Sequence, residues 1–428
     1  MIASAPARPA TERLLWLDIA RVLSAVMILG FHWLRAGYQL GLIGPRGFNL
    51  IIIYQGNTAG LSFFHDIFIA GFDPKLTTWL TNASGILGGF GWEAVSAFIL
   101  ISGFSLAASQ HGKSLDFSDW LTWYRKRAQR VLIPFYIVAL PCLALAAIAI
   151  VGLHYAHGPL ASLLDSKLNS QFHTSLLGIA LSHTLLFDPL EPQWNPNFFV
   201  PAWWFIPAIL LAYVTYPFVR RASTVAHGLP LVLLSALITM AAYVGTNNGV
   251  LTDEFWYFIV LHESFNFSLG VVAANLWLGA GRPALERAIS SPAFFAAAFV
   301  VFVIGNLCDW TNATRPVASM LFGPSLAFML VAVGKRLETW RHASKLLSVD
   351  PYDLYLVHQP FAYPLALVSK LFLHGYALFF GWFVFLAVAS IAARILTVVQ
   401  RPIQAWVGRP RARAILAPRG SLMADDSR

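Results

Sequence analysis

The stretch LLWLDIARVLSAVMILGFHWL, residues 14–34, has the length and apolarity of a membrane-spanning helix. About 20 apolar residues cross the hydrocarbon layer of a bilayer, which is about 30 Å thick. The stretch nevertheless carries Asp18, Arg21 and His32. Ionisable side chains are costly in lipid, so they usually face the protein interior and mark a pathway or a reaction site.

Arg21 and His32 are spaced so that they share one helix face. Eleven steps of about 100° return to within about 20° of the starting direction, and the rise is about 16 Å. The spacing predicts a fixed cation and a titratable base aimed into one cavity at two depths. Alternatively, Asp18 and Arg21 form a structural i,i+3 ion pair, which leaves His32 as an interfacial histidine.

The composition of the 428 residues indicates a polytopic membrane protein. Hydrophobic residues make up 57%, charged residues 11%, and the mean hydropathy is +0.64. Soluble domains have about 25% charged residues. The net charge of +9 does not indicate nucleic acid, because the basic residues lie in short loops between apolar stretches. Cys142 and Cys308 form no metal-binding motif, and we expect two buried thiols.

Windows of about 19 apolar residues predict an all-α bundle of about ten transmembrane helices. The predicted spans are 14–34, 83–108, 131–153, 200–219, 229–246, 256–278, 292–308, 316–334, 350–372 and 376–398. Shorter apolar pieces at 48–54, 61–70 and 174–187 are expected to be interfacial or re-entrant. The long segments 35–82 and 154–199 are predicted to be outer loops, the second forming a wall for sugars or an aromatic interfacial collar.

Lys and Arg predict the orientation of the bundle. With the N-terminus inside, 21 basic residues fall on the inner side and six on the outer side. This asymmetry places both termini in the cytoplasm. We divide the chain into a cytoplasmic tail, 1–12, a transmembrane domain, 13–402, and a basic tail, 403–428, expected to be disordered or bound to anionic lipid. The first span is expected to be retained, because no signal-peptide cleavage site follows it.

Polar groups in the next segments suggest further site residues. The second span ends in SGF, where Gly103 permits close helix packing and Ser102 can donate a hydrogen bond. Glu93, near its outer end, is either a partner for His32 or an exposed interfacial carboxylate. The following loop holds Arg127 and Arg130, whose i,i+3 spacing suits bidentate binding of a phosphate.

Two later segments carry polar patches within predicted spans. Tyr355 and His358 share a helix face at i,i+3 near the inner end of the ninth span, either as packed polar residues or as site residues. His262, Glu263 and Asn266 lie in the sixth span, with His262 and Asn266 at i,i+4. This patch is either structural or part of the site.

The motifs occur in an order that resembles the acyltransferase-3 family of integral membrane acyltransferases. R-x10-H is followed by SGF, by R-x-x-R before LIPFY, by WWFIPAILLAYVTYP and by DPYDLYLVHQPF. The similarity extends in patches over residues 13–402. R-x10-H alone is unspecific, but five motifs in order on the predicted spans are specific.

The resemblance implies transfer of an acyl group, commonly acetyl from acetyl-CoA, to a hydroxyl of an extracytoplasmic carbohydrate or related acceptor. The essential Arg and His of the family would be Arg21 and His32. Its SGF serine would be Ser102 and its R-x-x-R pair Arg127 and Arg130. The later motifs would place Trp204, Phe205, Tyr355, Leu356 and His358 at the site.

Two departures from the family pattern concern the acceptor. The segment before SGF reads AVSAFI where the family often has GVxLFF, and the fourth span has WFIPAI where many polysaccharide-modifying members have WSLSxE. We expect a bacterial inner-membrane enzyme with acyl-CoA as its donor, no permanently bound cofactor and no metal. Trp204, Glu93, His262 and Glu263 are candidates for the acceptor side.

The predicted topology suggests how the donor enters. Coenzyme A is cytosolic and carries phosphates, so Arg127 and Arg130 would bind it near the inner face, with Arg21 deeper and Tyr355 and His358 lining the same cavity. His32 would act as a base for the acceptor hydroxyl or carry the acyl group transiently. Two other function classes compete with this interpretation: a transporter or flippase, and a non-enzymatic membrane scaffold.

Overall fold

The computed structural model describes residues 14–40, 42, 80, 88–113, 116–155, 201–248, 259–309, 311, 313–340, 342 and 349–408. The three short apolar pieces and the chain after residue 408 lie outside the described residues, as does most of both long outer segments. The expectation about the aromatic wall therefore concerns residues that are not described, as does that about the basic tail after residue 408, whereas residues 403–408 are helical.

The described residues form a helical bundle without strands. The helices are α1 (Leu15–Gln39), α2 (Glu93–Gln110), α3 (Phe117–Tyr155), α4 (Phe205–Ala222), α5 (Leu229–Asn247), α6 (Ser264–Leu278), α7 (Arg282–Ser290), α8 (Pro292–Cys308), α9 (Arg315–Leu337), α10 (Pro351–Leu373) and α11 (Ala377–Gly408). A single turn, Ile259–His262, precedes α6, and the 3₁₀ turn Pro201–Trp204 leads into α4.

Helix α1 lies at the centre of the bundle. It packs against α2, α9, α10 and α11, and Ile19, Leu29 and Trp33 on it are almost fully buried. The outward faces of other helices expose large apolar side chains, among them Leu233, Leu237, Phe299, Val398 and Phe372. Apolar side chains on the outside of an apolar bundle suit a lipid environment, so the protein is an integral, multi-pass membrane protein.

Ten of the eleven helices coincide with the ten predicted spans, but fewer stretches satisfy a strict length and apolarity test. Seven do, or eight if the bent pair α7–α8 counts as one span. The difference between ten predicted spans and eight such stretches has two causes. The stretch 351–407 counts once although it contains both α10 and α11, and α6 has only 15 residues.

Helices α10 and α11 run antiparallel. The Asp353 carboxylate, near the start of α10, accepts hydrogen bonds from Thr397 (2.5 Å) and Gln400 (2.7 Å), near the end of α11. The chain reverses at the turn His374–Tyr376. Each of the two helices is long enough to cross a bilayer.

Several boundaries differ from the sequence-based prediction; α11, for example, ends at Gly408 and not near residue 398. Helix α3 begins at Phe117 and not near residue 131, because the Asp116 carboxylate accepts a 2.8 Å bond from the Asp119 amide and caps it. The predicted sixth span is interrupted at Glu263, whose φ and ψ of −102° and 5° lie outside the helical range. Helix α7, bent by 79° from α8, occupies a segment predicted to be a loop.

Candidate active site

A cavity of about 270 Å³ opens between α1, α2, α3, α4, α10 and α11. Four residues predicted for the donor side line it together: Arg21, Ser102, Arg127 and Arg130. An adjoining recess of about 420 Å³ shares Arg130 with it and adds Lys126. We call the two together the basic cavity.

Two of the arginines pair with carboxylates. Arg21 Nη1 lies 3.8 Å from Asp18 Oδ1, and Arg130 Nη2 lies 3.8 Å from Asp350 Oδ2. The Arg21 side chain is 26% exposed and that of Arg130 is 59% exposed, so Arg21 lies deeper. The predicted Asp18–Arg21 ion pair is therefore present, and its arginine also faces the cavity.

Arg127 is held by aromatic rings. Its guanidinium lies 5.6 Å from the centroid of the Trp123 ring and 5.9 Å from that of Tyr213. It also donates a 3.4 Å hydrogen bond to Ser109 Oγ. Stacked guanidinium groups keep their charge and their planar fork of donors available for an anion.

The SGF motif combines both roles considered for it. Ser102 lines the basic cavity, while Gly103 faces α6 so closely that an added Cβ would lie 2.5 Å from the Phe267 carbonyl oxygen. The glycine thus allows two backbones to touch. Ser102 precedes Gly103 and is rotated from it by about 100° around the helix axis, so its side chain faces the cavity and not α6.

His32 lies beside His358 on α10. Their ring centroids are 5.1 Å apart, and the side chains are 9% and 0% exposed. His358 Nδ1 lies 2.5 Å from the Tyr355 carbonyl oxygen. This contact assigns the proton to Nδ1 and leaves Nε2 with a lone pair. In the described part of the chain, neither His358 Nε2 nor His32 Nδ1 has a hydrogen-bond partner.

Tyr355 and His358 were expected to line the donor cavity, but they are not among the residues that line the basic cavity. Helix α10 begins at the level of that cavity, where Asp350 and Tyr352 line it, so residues further along the helix lie deeper. The Tyr355 ring packs behind Phe205, with centroids 5.2 Å apart, and its hydroxyl donates to the Ala202 carbonyl.

Trp204 is connected to His32 through a series of aromatic rings. Trp204 and Trp92 have centroids 6.1 Å apart, as do Trp92 and Phe31, and the Phe31 ring lies 5.3 Å from that of His32. The WWF motif itself is fixed to α10, because Trp203 Nε1 donates to the Leu356 carbonyl at 3.1 Å. The two late motifs therefore pack on each other.

The other acceptor-side candidates lie elsewhere. Glu93 is 6% exposed and forms no ion pair with His32 in the described residues, because the His32 ring faces α10. His262 contacts Thr246 at 3.2 Å and packs on Tyr243. Glu263 accepts hydrogen bonds from Ser96 and Asn266. Asn266 Nδ2 also donates to the Ser319 carbonyl oxygen at 3.4 Å.

Several cavity residues were missed by the sequence reasoning, namely Asp350, Tyr213, Tyr352, Thr397 and Arg401. Asp350 precedes Pro351 and caps α10 through a 2.8 Å bond from the Tyr352 amide. Its D-P pair is a recognisable helix start. The remaining residues come from three other helices, and nothing in their local sequence distinguishes them from packing residues.

Comparison with known proteins identifies the family. The family described as Acyltransferase domain (Acyl_transf_3) matches residues 14–399, nearly the whole chain. No curated protein and no solved structure shows a significant match. The matched segment includes α1 with Arg21 and His32, the SGF motif and the late motifs on α10. The chain belongs to the acyltransferase-3 family and is a membrane acyltransferase.

Proposed function

We propose that this enzyme moves an acyl group, acetyl in the simplest case, from cytosolic acyl-CoA to a hydroxyl of an extracytoplasmic glycan or related acceptor in a bacterial inner membrane. One observation carries the proposal. Helix α1 presents Arg21 to the basic cavity and His32 to His358, and eleven residues of helix separate them by about 16 Å.

The basic cavity supports the donor side of this proposal. Its two compartments hold Arg21, Arg127, Arg130, Arg401 and Lys126. Arginine binds phosphate bidentately, and the positive groups exceed the carboxylates of Asp18, Asp350 and Asp353. On the predicted topology this cavity opens towards the cytoplasm. The phosphates of coenzyme A would bind there, and the acyl-bearing arm would extend past Ser102 towards His32.

His32 would start the reaction by taking the proton of the acceptor hydroxyl. The hydroxyl oxygen would attack the thioester carbonyl carbon and form a tetrahedral oxyanion. When the carbon–sulfur bond breaks, the thiolate of coenzyme A would take the proton back from the imidazolium. A neutral imidazole suits this role, because an unprotonated ring nitrogen can accept the hydroxyl proton and return it to the leaving thiolate.

His358 would assist His32. Its Nδ1 is engaged by the Tyr355 carbonyl, so its Nε2 is an acceptor only. A second lone pair near the first would hold the acceptor hydroxyl or orient the His32 ring. Donors near the carbonyl oxygen would stabilise the oxyanion, an effect worth about 3 kcal/mol for one donor in a serine protease.

The test is transfer of label from radiolabelled acetyl-CoA to membrane glycans, with the full-length protein in membrane preparations. His32→Gln should lower the transfer rate by about 10²–10⁴-fold, the usual contribution of a general base, with unchanged binding of coenzyme A. His111→Gln replaces an exposed histidine at the end of α2 and serves as the matched control.

Two results would contradict the proposal. Unchanged transfer by the His32→Gln variant would exclude His32 as the base. Absence of transfer and of coenzyme A binding in the unaltered protein, with the fold intact, would exclude acyl-CoA as the donor.

A further inference from the structure

An apolar crevice separate from the basic cavity runs between α4, α5 and α6. Its volume is about 190 Å³. The α4 residues that line it include Phe205, Ala208, Ala212 and Val219, which lie on one face of that helix. Phe205 and Val219 are 14 residues apart, so the crevice extends about 21 Å along α4. This is most of the thickness of a bilayer core.

The crevice has room for one slender apolar molecule. An engineered apolar protein cavity of about 150 Å³ binds benzene, which has six carbon atoms. The crevice is of similar capacity, about 190 Å³, but elongated. Leu234, on its wall, is 57% exposed, so the crevice is accessible from the side of the bundle that faces lipid. These dimensions suit a single short alkyl chain.

One end of the crevice carries a partly buried carboxyl group, that of Glu263. Glu263 lines the crevice at the break between the turn Ile259–His262 and α6. Ser96 Oγ donates to its Oε1 at 2.6 Å, and Asn266 Nδ2 donates to its Oε2 at 2.7 Å. No Lys, Arg or His forms an ion pair with Glu263 in the part of the chain that the structure describes. An ionisable carboxyl group with two neutral donors and no cation is costly inside a membrane protein.

We propose that this crevice binds a single-chain amphiphile, with its alkyl chain along α4 and a hydrogen-bond-donating head at Glu263. Each carboxylate oxygen has a second lone pair, so it accepts one more hydrogen bond beyond those from Ser96 and Asn266. A hydroxyl or ammonium head meets this requirement. An ionised carboxylate or phosphate head does not, because it lacks a donor.

The site is distinct from the proposed donor site. Phe205 and Ile209 form a wall common to the crevice and the basic cavity, but the crevice has no cationic side chain among its lining residues. On the predicted topology Glu263 lies at the outer side of the bundle. An amphiphile bound with its head at Glu263 then has the orientation of an outer-leaflet lipid.

Photolabelling tests the proposal on the full-length protein in phospholipid nanodiscs. The probes are octan-1-ol, octylamine and octanoate, each with a diazirine at the far end of the chain, and labelled peptides are located by mass spectrometry. We expect the alcohol, the amine or both to label α4 and α5 at least tenfold more than octanoate does. The arm that labels identifies a hydroxyl or an ammonium head.

Variants separate the chain from the head. Ala212→Phe fills the crevice, and Glu263→Gln removes the charge with little change of shape; each should lower labelling at least fivefold. Val214→Phe adds the same ring on the exposed side of α4 and should leave labelling unchanged. Equal labelling by all three probes, or labelling that persists in Ala212→Phe and Glu263→Gln, would overturn the proposal. The comparison of the three probes uses the unaltered protein, so it tests the proposal even if the Glu263→Gln variant fails to fold.

Discussion

Two arginines of the basic cavity, Arg127 and Arg401, have no carboxylate partner in the described residues. Arg21 and Arg130 lie 3.8 Å from Asp18 and Asp350, whereas Arg127 is held between aromatic rings. The wall of the main compartment also contains Arg401, so its arginines outnumber its carboxylates by two. A partly buried surplus of positive charge is stabilised by a bound anion, which supports the proposal that a phosphate-bearing ligand binds there.

We predict that Arg127→Gln combined with Arg130→Gln weakens binding of coenzyme A by tenfold or more. Hydrogen bonds to charged groups contribute about 1.5–3 kcal/mol each, and a tenfold change corresponds to about 1.4 kcal/mol. Isothermal titration at two salt concentrations measures both the loss and the reduced salt dependence.

The control is Arg287→Gln on α7, which removes a positive charge from an exposed helix away from the cavity. If that variant loses as much affinity as the double variant, the cause is the overall charge of the protein. The basic cavity would then not be the binding site.

At the scale of helices, α2 and α6 make the closest approach around the candidate site. An added Cβ at Gly270 would lie 2.0 Å from the Leu100 carbonyl oxygen, and one at Gly103 would lie 2.5 Å from that of Phe267. Small residues at such contacts permit close packing of helices in membranes, where lipid competes equally well for apolar side chains. This contact positions Ser102 on one side of α2 and Ser96 on the other.

Gly270→Val should force α2 and α6 apart. Overpacking of a tight contact costs about 1–3 kcal/mol or more, so we expect a lower unfolding temperature and weaker coenzyme A binding, because Ser102 and Phe98 move with α2. The thermal unfolding of the purified protein in detergent measures the first effect. Ala296→Val adds the same methyl groups on an exposed face of α8 and should change neither.

For the whole molecule, the orientation in the membrane determines which reactants reach which end. The Lys and Arg asymmetry predicts a cytoplasmic opening of the basic cavity and an outer position for the links between α8 and α9. The proposed reaction requires this orientation, since coenzyme A is available only in the cytosol. The reverse orientation would leave the acyl donor without access.

Cysteine labelling in intact cells tests the orientation. With Cys142→Ser and Cys308→Ser as background, Ala313→Cys should react with an impermeant maleimide before permeabilisation. Ser118→Cys, at the start of α3, should react only afterwards. Both positions are exposed. The opposite pattern would exclude the proposed entry of acyl-CoA.

Much of this architecture was predictable from local patterns of sequence. All ten predicted spans correspond to helices, because apolar composition over about 20 residues reflects the cost of placing polar groups in lipid. The common face of Arg21 and His32 follows from helix geometry within one element. Family membership was recognisable from the order of the five motifs, which the family match over residues 14–399 confirms.

The remaining features depend on how separate helices are placed against each other. The pairing of His32 with His358, the ion pair of Arg130 with Asp350 and the position of Tyr355 behind Phe205 all join residues that are distant in sequence. The local pattern of each helix is compatible with many rotations and vertical shifts against its neighbours. Side-chain packing and the close glycine contacts select one of them, because interiors are close-packed and small residues let the helix backbones approach only at matching positions.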